Sequence, residues 1–168
     1  MGESMRAEDR RLVLLVDHDV ESRRHARHLL ERHGLEVVQA SNGMAALELI
    51  QRLPRSFLLV LTEIDLPGLS GTIVAETLRV FRPDLPTLCM STAAGAGVPS
   101  AGRCLAKPLQ SEDLLAAIRN GREAYDGDAR PRPSEDAVAR ARARFAAVGD
   151  LVEAALELAR ADGAEDRG

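Results

Sequence analysis

Between about residues 11 and 126, short apolar runs alternate with segments of helical period, and this alternation leaves few folds open. The runs are LVLLV (12–16), LEVVQA (35–40), FLLVL (57–61), TLCM (87–90) and RCLA (103–106). A run apolar at every position suits a strand covered on both faces. Segments 20–34, 43–53, 71–81 and 112–125 carry the helical period, with Ser41 or Asn42 capping the second and Ser111 the last. Gly34 and Pro54 mark two helix ends. Strands alternating with helices at this spacing predict an α/β domain, a parallel sheet with helices on both faces. The chain divides into a charged lead-in (1–10), this domain (11–126), a Pro/Gly/charged linker (127–133), a helix from Ser134 to 162, and a tail (163–168) that Gly163 opens as the helix stop.

Composition removes several functions. Aromatic residues are 2% of the chain and Trp is absent, which leaves no stacking platform for single-stranded nucleic acid. A net charge of −4 supplies no general attraction to nucleic acid or to acidic membranes. No apolar run approaches the roughly 20 residues of a membrane span. The start of the chain has no apolar leader segment. Cys89 and Cys104 lack metal-ligand spacing, so two reduced thiols in a soluble cytoplasmic protein are expected.

Sites in open parallel sheets form where the carboxyl ends of strands meet loops. Here those ends read Asp17-His18-Asp19, Thr62-Glu63, Ser91-Thr92 and Lys107-Pro108. Carboxylates at such an edge suit a hard cation such as Mg2+. A hydroxyl and an ammonium suit phosphoryl oxygens.

Asp17, the LPGLSG loop (66–71), Ser91 and the Lys107-Pro108 pair together resemble the receiver domain of two-component response regulators, the CheY-like superfamily. The resemblance covers residues 11 to about 125. It implies a flavodoxin-like (βα)5 doubly wound sheet of order 2-1-3-4-5 and a cis peptide at Lys107–Pro108. It also implies a site where an aspartate takes phosphate from a histidine kinase with Mg2+ bridging.

The chain departs from that pattern in four places. Glu63 stands at the phosphoacceptor position, four residues before Pro67, with Asp65 as the alternative carboxylate. A glutamate carries its carboxylate roughly 1.5 Å further, enough to spoil in-line transfer where errors of ~1 Å cost about 100-fold. The same reach favours a Glu63–Lys107 ion pair in place of a phosphate–lysine contact. His18 replaces the second acid after strand one, and imidazole is a poor Mg2+ ligand. Asp19 either reaches the metal or caps the first helix; a Zn2+ site of Asp17, His18 and Glu63 is a further reading. Weak Mg2+ binding at most is expected, and no other cofactor.

Ser91, or Thr92 on a one-residue slip, supplies the switch hydroxyl, and Cys104 occupies the switch position of an aromatic. Only fifteen residues, rich in Gly, separate Ser91 from Lys107, which predicts that helix 4 is shortened or lost. Val138, Ala141, Phe145, Val148, Val152 and Ala155 make a stripe on the last helix, for its own domain or for a partner. It could also cover the gap that helix 4 leaves. Arg23, Arg24, Arg27 and Arg32 make the first helix basic, a solvated face or a contact for an acidic partner.

The expected function is that of an atypical, non-enzymatic, phosphorylation-independent interaction module in bacterial signalling. Its expected partner is a histidine kinase, another regulator or a second copy, not nucleic acid or membrane. The alternatives are a regulator phosphorylated on Asp65 or Glu63, and an assembly protein joined through its last helix.

Overall fold

The computed structural model describes residues 12–53, 57–92, 104–126 and 134–165. Strands β1 (Leu12–Val16), β2 (Glu36–Ala40), β3 (Phe57–Glu63), β4 (Thr87–Ser91) and β5 (Cys104–Ala106) form one sheet. Its order is β2-β1-β3-β4-β5, and every neighbouring pair is parallel. The flavodoxin-like order expected from the sequence is therefore observed. Helices α1 (Val20–Arg32), α2 (Gly43–Arg52), α3 (Gly71–Phe81) and α4 (Ser111–Asp126) follow β1, β2, β3 and β5, and α5 (Glu135–Glu165) ends the fold.

The period of two in each strand divides the core between the two faces. Val13, Leu15, Leu59, Leu61, Leu88 and Met90 turn toward α1 and α4, where Ala26, Leu30 and Leu114 meet them. Leu14, Val16 and Val60 turn the other way, onto Leu47 and Ile50 of α2 and Val74 and Leu78 of α3, and a register shift between β1 and β3 at Leu12/Val13 lets Phe57 join them out of period. Strands buried on both faces need apolar residues at every position, which explains the uninterrupted runs.

Helix ends follow local chemistry with two departures from expectation. Asn42, not Ser41, caps α2 by accepting from the Ala45 amide at 2.8 Å. Gly34 takes φ 74° just past α1, and the Leu35 amide reaches back to the Leu30 carbonyl at 3.2 Å. Ser111 is not a cap: α4 begins there, and the Gln110 carbonyl accepts the first helical bond from Leu114. Gly163 does not stop α5, which runs to Glu165; the positive-φ glycines among the described residues are Gly34 and Gly68. A glycine ends a helix only when it takes that left-handed conformation. The expected lead-in, the linker and the segment of the shortened helix 4 (93–103) lie outside the described residues.

Helix α5 packs on its own domain. Ala137, Ala141 and Val148 are buried, and Val148 joins the core cluster of α2 and α3. The ring of Phe145 stacks on Phe81 of α3 with centroids 4.4 Å apart. Gln51 Nε2 donates to the Phe145 carbonyl at 2.8 Å, while Glu76 faces Arg144 at 3.3 Å and Arg140 at 3.7 Å. The buried stripe thus runs through Ala137, and Val138, expected to head it, is half-buried. The side chain of Val152 lies outside the described residues. Removing residues 134–168 is expected to cost about 3–5 kcal/mol, from the exposure of what Phe145 and Val148 cover. Urea denaturation of the shortened chain measures this; an unchanged midpoint would make α5 dispensable to the fold.

Candidate functional site

Four strand ends meet at one edge of the sheet. The Asp17 amide donates to the Ala40 carbonyl at 3.1 Å, which continues the β1–β2 ladder and delivers a fully buried carboxylate. Strand β3 runs as far as Glu63, which is in register with Met90 of β4 and 3% exposed. The Lys107 amide donates to the Ser91 carbonyl at 2.9 Å, joining the ends of β4 and β5. The Lys107–Pro108 peptide is cis, as the resemblance implied.

Lys107 is the hub. Its Nζ lies 2.7 Å from Asp17 Oδ2 and also donates to Glu63 Oε2. Only 8% of its side chain is exposed. Burial alone would lower the pKa of this amine, but hydrogen bonds and attraction from Asp17 and Glu63 outweigh that and hold it above the ordinary lysine value.

The other oxygens are also engaged. Asp17 Oδ1 accepts from the Asp19 amide at 2.9 Å, and Oδ2 also accepts from Ser22 Oγ at 2.7 Å. Glu63 Oε1 faces the Asp65 amide at 3.4 Å. Asp19 caps α1, accepting from the Ser22 amide at 2.7 Å. The side chains of His18 and Asp65 are exposed. His18, Asp65 and Thr92 line a cleft of about 430 Å³ whose wall includes Glu63 and Lys107. Ser91 is buried at the end of β4, while the slip alternative, Thr92, and Ser22 are hydroxyl residues on the cleft wall.

Gly71 closes the site from below. A Cβ built there would lie 1.8 Å from the Glu63 carbonyl oxygen, so only glycine lets α3 begin against the end of β3. Its amide donates to the Ile64 carbonyl at 3.0 Å.

Three contacts went unforeseen in the sequence. Ser22 reaches Asp17, Arg23 Nη1 donates to the Asp17 carbonyl at 2.6 Å, and His25 Nε2 lies 3.0 Å from the Leu109 carbonyl. Ser22 and Arg23 stand one turn into the helix that follows Asp17, a spacing that could have signalled them. His25 bridges 84 positions, and no local pattern marks it. Cys104 is half-buried on the edge strand, and burial followed by the charge of Glu63 raises its thiol pKa above the usual value.

Comparison with known proteins agrees with this geometry. The family model for the response regulator receiver domain matches residues 13–119. The transcriptional regulatory protein CpxR homolog of Haemophilus influenzae is 36% identical over 116 residues, 64% of this chain and 48% of that protein. The chain thus spans about half the length of that relative. The response regulator receiver protein CpdR of Brucella abortus is 30% identical over 112 residues, 63% of this chain and 92% of that protein. A crystal structure of a CheY-like receiver domain protein from Methanospirillum hungatei superimposes with a TM-score of 0.61 at 25% identity, covering 70% of this chain and 98% of that one. Among the described residues no helix is long and apolar enough to cross a membrane. The matched family model, the sheet order and the four converging strand ends agree: this chain belongs to the response regulator receiver domain family.

Proposed function

We propose that this receiver works as a phosphorylation-independent interaction module, with Glu63 standing where the family carries its phosphoacceptor aspartate. The observation that carries the reading is Lys107, whose ammonium is already paired with both buried carboxylates. In a phosphorylated receiver this lysine would meet the phosphoryl group; here the Glu63 carboxylate supplies the anion without chemistry. The pair holds one arrangement of the sheet edge, and a partner protein, a histidine kinase or another regulator, reads that arrangement. The module performs no enzymatic step of its own, works in the cytoplasm and does not bind nucleic acid.

The donor set fits Mg2+ poorly. Asp17 Oδ2 is shared between Lys107 and Ser22, Asp19 is committed to the helix cap, and His18 offers nitrogen where a hard cation takes oxygen. Among the described residues no group of three or more His, Cys, Asp or Glu is placed to hold a metal ion, which also weighs against Zn2+ on Asp17, His18 and Glu63. Cys104 cannot turn a ring inward, so the switch of an aromatic is replaced by a fixed small side chain.

A second reading rests on Asp65, an exposed carboxylate on the same cleft. One experiment separates the two. The protein is incubated with a small-molecule phosphodonor and Mg2+, and its intact mass is taken beside those of Glu63→Asp and Asp65→Ala. No phosphoryl adduct on the wild type is expected. An adduct on the wild type would overturn the proposal, and its loss in Asp65→Ala would assign it to that residue. An adduct gained by Glu63→Asp would show that the rest of the site is serviceable.

A further inference from the structure

We infer that Cys89 and Cys104 form a dithiol oxidation site that closes to a disulfide between β4 and β5. The two residues are in register as direct partners on adjacent parallel strands. Neighbouring strands lie about 4.8 Å apart, inside the window of roughly 4.4–6.8 Å that a disulfide needs between Cα atoms. Both side chains leave the same face of the sheet. Their neighbours Leu88, Met90 and Leu105 all enter the core on the α1 and α4 side, so the alternation sends both thiols to the opposite side. The partners differ in access: Cys89 is buried, and Cys104 is half-buried on the edge strand.

The oxidant class is a hydroperoxide. The Cys104 thiolate attacks one peroxide oxygen, the O–O bond breaks, and the leaving oxygen takes a proton to become water or, from an alkyl peroxide, an alcohol. Cys104 is then a sulfenic acid. The Cys89 thiolate attacks that sulfur and displaces hydroxide, which leaves as water once protonated. Two thiols lose two protons and two electrons, and the peroxide gains them. Burial holds the Cys89 thiol up to about 11, with Cys104 adding to the shift, so thiolate is scarce and the reaction is slow. Slow chemistry suits a response to sustained oxidation. The bridge would lie two residues from Ser91 and three from Lys107, and would tie together the two strand ends that present them.

The test uses the full chain and hydrogen peroxide. After exposure the protein is denatured, alkylated with iodoacetamide and weighed intact. The expected product is a monomer lighter by two hydrogens, carrying no alkyl group, and returned to two alkylated thiols by a reductant. Peptide mapping should join the Cys89 and Cys104 fragments. Cys89→Ser and Cys104→Ser should each keep one alkylatable thiol or take up oxygen without forming an internal bridge. Two alkylated thiols on the peroxide-treated wild type would overturn the inference. So would stepwise oxygen uptake by Cys104 with Cys89 still reduced, or bridges between chains only. The wild-type result decides by itself, so a poorly folding variant does not blur it.

Discussion

Lys107→Met is expected to lower the unfolding free energy by about 3–5 kcal/mol at neutral pH, the usual cost of leaving buried charge without its partner. The variant keeps most of the lysine's volume but strands Asp17 and Glu63, which are 0% and 3% exposed, beside each other. Urea denaturation measures the loss. Adding Glu63→Gln to Lys107→Met should recover a large part of it, because one of the two stranded charges is gone. Failure of the second substitution to recover any stability would mean that the lysine contributes through packing and not through charge. The pH dependence gives an independent reading. The folded pKa of Lys107 is raised above the ordinary value of 10.5, so the stabilisation is fully present below the unfolded-state pKa. It is lost as pH rises through the folded value. The stability gap between wild type and Lys107→Met should therefore stay open through neutral pH and narrow on the alkaline side as pH rises beyond about 10.5.

Gly71→Ala is expected to cost about 3 kcal/mol or more and to disturb the site itself. The added Cβ would sit 1.8 Å from the Glu63 carbonyl oxygen and 2.8 Å from its carbon, and both are main-chain atoms that cannot swing aside. The end of β3 or the start of α3 must then move, carrying Glu63 away from Lys107. Gly68→Ala is the useful contrast. It has nothing within 4 Å of a built Cβ but takes φ 76°, so its cost is the conformational one, about 1–2 kcal/mol. Thermal denaturation of the two variants ranks them. A Gly71→Ala no worse than Gly68→Ala would show that the β3–α3 junction has slack enough to absorb a methyl group.

The parts of this protein set by local periodicity were legible from residues alone. Uninterrupted apolar runs located β1 and β3 because both sheet faces are covered, and the helical period bounded α3 at 71–81, as observed. Site convergence was legible because the topology brings strand ends to one edge, so Asp17, Glu63, Ser91 and Lys107 needed only their order to be placed. Contacts set by side-chain reach across the fold were not legible. Nothing in the spacing says that Lys107 will take Asp17 as well as Glu63, or that His25 will meet the Leu109 carbonyl. The seat of α5 was half legible: the period of its stripe was visible, but not the phase that buries Ala137 and leaves Val138 half-buried. Asn42 over Ser41 is a similar choice between adjacent residues with nearly equal capping strength.

Helix α5 has a consequence for any protein that would use the α2–α3 face. A segment on the same chain presents itself at an effective concentration on the order of millimolar. If its stripe bound that groove with a free-peptide Kd of about 10 μM, the groove would be filled by its own helix ~99% of the time. A competing helix would then see an affinity about 100-fold weaker than its contacts deserve. Loosening the Glu76 clamp with Arg140 and Arg144 removes part of that handicap without altering a single groove residue. On those numbers access to this face would be set by the strength of an intramolecular competitor, tuned by the charges of Arg140 and Arg144 that meet Glu76.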